Sequence, residues 1–128
     1  MDVRKIAREQ WAKKLIDQER YYDVEQWLDE DNDNKPVRLY FKPANMRNRM
    51  SVIELANKTS KDGAPSVFEL AVSTIIKRCL TEDGKRKFKD SDYEDMLINY
   101  DADILWQIYY EISTVKPLAE EVEDAKKS

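Results

Sequence analysis

The sequence predicts a mainly helical domain carrying one β-hairpin, an α+β arrangement of about five helices around a single core. Three observations carry this. Only 2 Gly and 4 Pro occur in 128 residues, which leaves little room for tight turns. Apolar residues recur at helical spacing in 2–19, 44–59, 65–81, 91–100 and 101–115. One stretch, 20–43, is instead rich in aromatic and β-branched residues and alternates around a polar loop. A chain of 128 residues is of single-domain length and can enclose one core. It divides into a leading helix (1–19), the hairpin (20–43), a helical core (44–115) and a charged, frayed tail (116–128).

In the leading helix Val3, Ile6, Ala7, Trp11, Leu15 and Ile16 hold the apolar spacing, while Arg4, Lys5, Arg8, Lys13 and Lys14 cover the rest. The stripe is thin, so loose docking anchored on Trp11 is expected. Next, RYYDVEQWL and PVRLYFKP flank the polar cluster DEDNDNK. Val37, Leu39 and Phe41 fall on one side of the second strand and Arg38, Tyr40 and Lys42 on the other, with Pro36 and Pro43 bracketing it. A lone hairpin is marginal in water, so it must pack on the helices or extend a partner's sheet. In 44–59, Met46, Met50, Ile53 and Asn57 lie roughly in line.

The next helix, 65–81, starts with Pro65 in its first turn and carries a stripe of Phe68, Ala71, Val72, Ile75, Ile76 and Cys79, widened by Val67, Leu70 and Leu80. That breadth implies deep burial and makes Cys79 a structural apolar residue. Gly84 in Glu82-Asp83-Gly84 reads as its left-handed cap. Ser91 and Glu94 have capping-box spacing, and Tyr93, Met96, Leu97 and Tyr100 share a side of the following helix.

The stretch 101–115, DADILWQIYYEISTV, is apolar over most of its circumference. Asp103, Gln107, Glu111 and Thr114 make a narrow polar stripe, Ile104, Leu105, Ile108, Ile112 and Val115 an aliphatic face, and Trp106, Tyr109 and Tyr110 an aromatic one. Two readings stand side by side: a central helix buried by its own domain, or one face for the core and one for a partner chain. Trp106, Tyr109 and Tyr110, with Tyr40, Met46 and Met50, are the candidate partner-binding residues, because aromatic and Met side chains make adaptable contacts. An aromatic face together with an exposed hairpin edge also predicts self-association.

Composition excludes several chemistries. The chain has one Cys and no His, which removes an internal disulfide, Cys/His zinc sites and His-dependent triads, and fits a reducing cytoplasm. No apolar run approaches a membrane span, and MDVRKIAREQ lacks the centre of a signal peptide. Asp29, Asp31 and Asp33 imitate an EF-hand, but positions six and twelve hold Asn34 and Tyr40 instead of Gly and Glu, so the loop reads as a solvated turn. The carboxylates Asp90, Asp92, Glu94, Asp95, Asp101 and Asp103 suit helix capping and a solvated face better than acid–base work. No cofactor, metal site or catalytic group is expected. The competing class is a small nucleic-acid-binding protein using the basic segment 35–61 with Tyr40 and Phe41. A net charge of −4 and the absence of cations in 101–115 oppose it.

The order of the C-terminal half, VFELAVSTIIKRCL, EDGKRKF, KDSDYEDML and ADILWQIYYEIS, resembles the tail assembly chaperones of long-tailed bacteriophages. Asp83, Gly84, Phe88, Asp90, Asp92, Leu97, Leu105, Ile108 and Ile112 carry the resemblance, and YYDVEQWL…KPVRLYFKPANMRNRM is similar to the family's N-terminal pattern. The resemblance implies a non-catalytic chaperone of the host cytoplasm, absent from the finished particle. It would coat the helical, aggregation-prone tape measure protein, help recruit tail tube subunits and form homo-oligomers. It also implies that a longer, frameshifted form can exist.

Overall fold

The computed structural model describes residues 1–17, 20–60 and 63–113. Among them the chain forms α1 (Val3–Asp17), a hairpin of β1 (Arg20–Asp29) and β2 (Lys35–Phe41), then α2 (Met46–Thr59), α3 (Val67–Arg78), α4 (Tyr93–Asn99) and α5 (Ala102–Ser113). The mainly helical α+β class with one hairpin is therefore what the chain adopts. The expected tail 116–128, with Thr114 and Val115 of the closing helix, lies outside the described residues.

The strands pair antiparallel, with Tyr22 opposite Leu39 and Asp23 opposite Arg38. Alternation puts Val24, Leu39 and Phe41 into the core and leaves Arg38 and Lys42 exposed. The loop turns through a single 3-10 turn, where the Asp29 carboxylate accepts a hydrogen bond from Asp31 N at 3.0 Å. Asp33 and Asn34 then take left-handed backbone at φ 55° and 56°, conformations these short polar side chains tolerate. The acidic loop is a turn, and no cluster of metal-binding side chains occurs among the described residues. Between Val24 and Leu28 the register slips, and Pro36 sits inside β2 opposite Leu28 rather than at its edge. The slipped residues carry Trp27 edge-on to Tyr100, with ring centroids 5.8 Å apart.

The helix that organises the core is α3, rather than the stretch 101–115 that one reading made central. Every residue from Ala71 to Ile76 is buried, including Ser73 and Thr74. α2, α4 and α5 all pack on it, while β1 meets α5. Phe68 near the start of α3 touches Trp106, and Arg78 at its end donates to Ile112 O at 3.2 Å, so α3 and α5 run side by side in the same direction. The buried face of α5 is Leu105, Ile108 and Ile112.

Helix ends depart from expectation in informative ways. Ser66 and Glu69 form a reciprocal capping box, so α3 begins after Pro65, not on it. At the other end Cys79 caps the helix, and Gly84 (φ 84°) serves a separate turn in which its N–H reaches Thr81 O at 3.0 Å. The Ser91–Glu94 box does not form. Instead the Asp92 carboxylate accepts from Lys89 N at 2.7 Å, one 3-10 turn ahead of α4. On α2, Val52, Leu55 and Ala56 turn inward, and the row Met46, Met50 and Ile53 faces solvent. α1 buries little: Trp11 and Lys14 are half-buried and its other described side chains are exposed.

The expected free hairpin edge is closed on the β2 side. Tyr40 exchanges both backbone hydrogen bonds with Leu80, at 3.0 and 2.7 Å, and Leu80 pairs in turn with Arg86.

Candidate partner-binding surface

The surface starts from a capping box. Ser66 and Glu69 fix the first turn of α3, and the Tyr93 hydroxyl donates to Glu69 Oε2 at 3.2 Å, holding that turn against α4. The hydrogen bonds from Ser66 and Tyr93 hold the Glu69 carboxyl below its ordinary range. Phe68 follows on this rigid turn and is 65% exposed, although its spacing places it on the buried stripe. The stripe reaches full burial only from Ala71 onward, so the first turn of α3 projects past its neighbours.

Phe68 meets the aromatic side of α5. Its ring centroid lies 5.7 Å from Trp106, and Trp106 lies 5.4 Å from Tyr109, both pairs tilted. Trp106 remains 44% exposed while held between two rings, and Tyr110 on the next step is 51% exposed. Leu105, Ile108 and Ile112 are the buried residues of α5, Ile104 and Tyr109 pack half-buried against the core, and Trp106 and Tyr110 are left outward. Within the described part of 101–115, one face of α5 is turned to the core and Trp106 and Tyr110 on the other are exposed.

The six candidate residues are not brought to one place. Trp106 and Tyr109 stack together, with Tyr110 on the same helix. Met46, 77% exposed, and Met50 lie on α2 beside exposed Ile53. Tyr40 stands on the outer face of the hairpin, half-buried, 6.0 Å from Tyr21, whose ring also carries the Arg38 guanidinium at 3.9 Å. Arg38 is bonded to Asp23 at 2.8 and 3.2 Å, and that bond holds the Asp23 carboxyl below its usual range. Tyr40 therefore belongs to a cross-strand cluster.

Two features escaped the sequence reading. One is Phe68, for which Ser66 and Glu69 at capping-box spacing were the available signal. The other is a cavity of about 60 Å³ lined by Lys14, Arg20, Arg49 and Arg78. Those cations come from four separate stretches of chain, so no local pattern announces them. Compared with protein-family models, with curated proteins and with solved structures, the chain matches none. No helix among the described residues is long and apolar enough to cross a membrane.

Proposed function

We propose that the protein is a tail assembly chaperone of the long-tailed bacteriophage type, which holds an apolar helical face of the tape measure protein and helps recruit tail tube subunits in the host cytoplasm. The observation that carries this reading is the Phe68–Trp106–Tyr109 cluster: three rings in contact, Phe68 and Trp106 outward, on helices whose ends are tied down. Rigid aromatic groups of this kind lose little entropy on binding and dominate interfaces. The Met46, Met50 and Ile53 row offers a second, more adaptable apolar strip. Both belong to a binding protein rather than to a site of chemistry.

The nucleic-acid alternative draws less support. Of the cations of 35–61, Arg38 is engaged by Asp23 and Arg49 lines the small cavity, which takes both from a track along a phosphate backbone.

The test is co-expression with the tape measure protein of the same genome. The intact chain should keep that protein soluble and co-purify with it. A Phe68→Ala/Trp106→Ala variant that retains its helical spectrum should lose both properties. Undiminished solubilisation by the folded variant would remove the aromatic cluster from the mechanism, and failure of the intact chain would remove the proposed client.

A further inference from the structure

The small cavity at the end of the hairpin is an unusual place for positive charge in a chain of net charge −4. Lys14 comes from α1, Arg20 from the start of β1, Arg49 from α2 and Arg78 from the last turn of α3. Among the described residues the rest of the lining is uncharged, including Phe41 and Ile112. Arg49 makes no ion pair with a described residue.

Arg78 is already aimed. Its Nη2 donates to Lys42 O at 2.7 Å and its Nη1 to Ile112 O at 3.2 Å. A guanidinium has five N–H donors, so this anchoring leaves others for a ligand. Burial, and then the like charges of Arg49 and Arg20, lower its affinity for its proton, the electrostatic mark of a cation kept near other cations. A bound anion would relieve that repulsion.

We propose that this cavity binds a single oxyanion, a phosphate-type dianion in preference to a monovalent carboxylate. Its volume of about 60 Å³ suits roughly four oxygen-sized atoms, which a tetrahedral oxyanion supplies and a nucleoside far exceeds. Lys14, Arg49 and Arg78 around so small a space match two negative charges better than one. The site is remote in purpose from the aromatic cluster: it joins the hairpin end, α2, α3 and the end of α5, so its ligand would clamp these elements together.

The experiment is titration of the full chain with inorganic phosphate at constant ionic strength, read by backbone amide shifts and by the melting temperature. Saturable shifts are expected in 41–44 and 76–80, with a rise in melting temperature. Arg49→Ala should weaken phosphate binding about tenfold, the loss of one charge-assisted hydrogen bond. Arg78→Lys, which keeps charge but not the fork, should weaken it too. Arg47→Ala, on the same helix but outside the lining, should leave it unchanged. Glycerol phosphate separates two sources: binding like that of phosphate marks a site open to phosphate esters, and no binding marks one for the free ion, either result supporting the site. Equal weakening by Arg47→Ala and Arg49→Ala, or an effect reproduced by chloride, would overturn the site. Acetate binding as tightly as phosphate would overturn the choice of a dianion.

Discussion

Cys79 should be a gauge of core opening, and the Ile108→Ala substitution shows how far the gauge should move. Cys79 is 0% exposed and caps α3, with its N–H bonded to Ile75 O at 3.1 Å. Burial pushes its thiol up to about 12. The thiolate is the reactive form. At about pH 8 a thiol titrating near 12 is about 0.01% ionised, whereas a free one near 8.5 is about a quarter ionised. Ionisation alone thus slows a disulfide reagent by about three orders of magnitude, and enclosure blocks it further. Labelling then proceeds through molecules in which the core has opened. Ile108 is fully enclosed in the same cluster, and its truncation should cost about 2–5 kcal/mol. At about 1.4 kcal/mol per decade, labelling should accelerate roughly thirty- to several-thousand-fold. The assay is absorbance-monitored labelling in native buffer beside denaturant unfolding of the same samples. Labelling of the native protein at the free-thiol rate would refute the burial argument. Unchanged slow labelling in a destabilised Ile108→Ala would show that exposure of Cys79 comes from local fraying of 79–88 instead.

Three further outcomes follow from individual groups. Ser73 is fully buried in α3 with its hydroxyl unpaired among the described residues, so Ser73→Ala should raise stability by about 1 kcal/mol in urea unfolding; a loss would mean the hydroxyl has a partner. The Cys79 thiol is raised in the folded state from 9.0 to about 12, so its contribution is complete below pH 9 and is lost as pH climbs towards 12; Cys79→Ala should flatten that alkaline decline in a series of melts. Asp90, bonded to Arg86 at 2.7 Å and Lys77 at 3.0 Å, is held below its ordinary 3.8, so its contribution is present above that pH and fades as pH falls through the depressed value. Because its side chain is half exposed, Asp90→Asn should cost only about 0.5–1 kcal/mol at neutral pH, and a gap from the parent that persists under strong acid would contradict the pairing.

What could be read from sequence was whatever depends on near neighbours in the chain. The alternation of Leu39 and Phe41 against Arg38 and Lys42 located the hairpin face, and the stripe through Ile75 and Ile76 located Cys79. What could not be read depends on which element occupies the middle. Ser73 and Thr74 look like an exposed sector by polarity, yet helices on both sides of α3 cover them. Phe68 looks like core by hydrophobicity, yet no element of the described fold fully covers it. In α2, Met46, Met50 and Ile53 keep helical spacing as well as Val52, Leu55 and Ala56 do, and periodicity alone does not choose between the two faces. The cavity of Lys14, Arg20, Arg49 and Arg78 exists only after tertiary folding.

The bridge between Tyr40 and Leu80 bears on how many copies could join through their sheets. Backbone groups of β2 that point away from β1 occur at every second residue, at Tyr40, Arg38 and Pro36. Leu80 occupies the first of these and proline has no N–H to offer at the last, so Arg38 alone retains a complete donor and acceptor. That is too little to seed a strand. The remaining edge is that of β1, and a sheet with a single usable edge stops growing once two copies have met across it. Pairing through the hairpin would thus end at two chains, and any ring or longer stack would have to be assembled from helix faces.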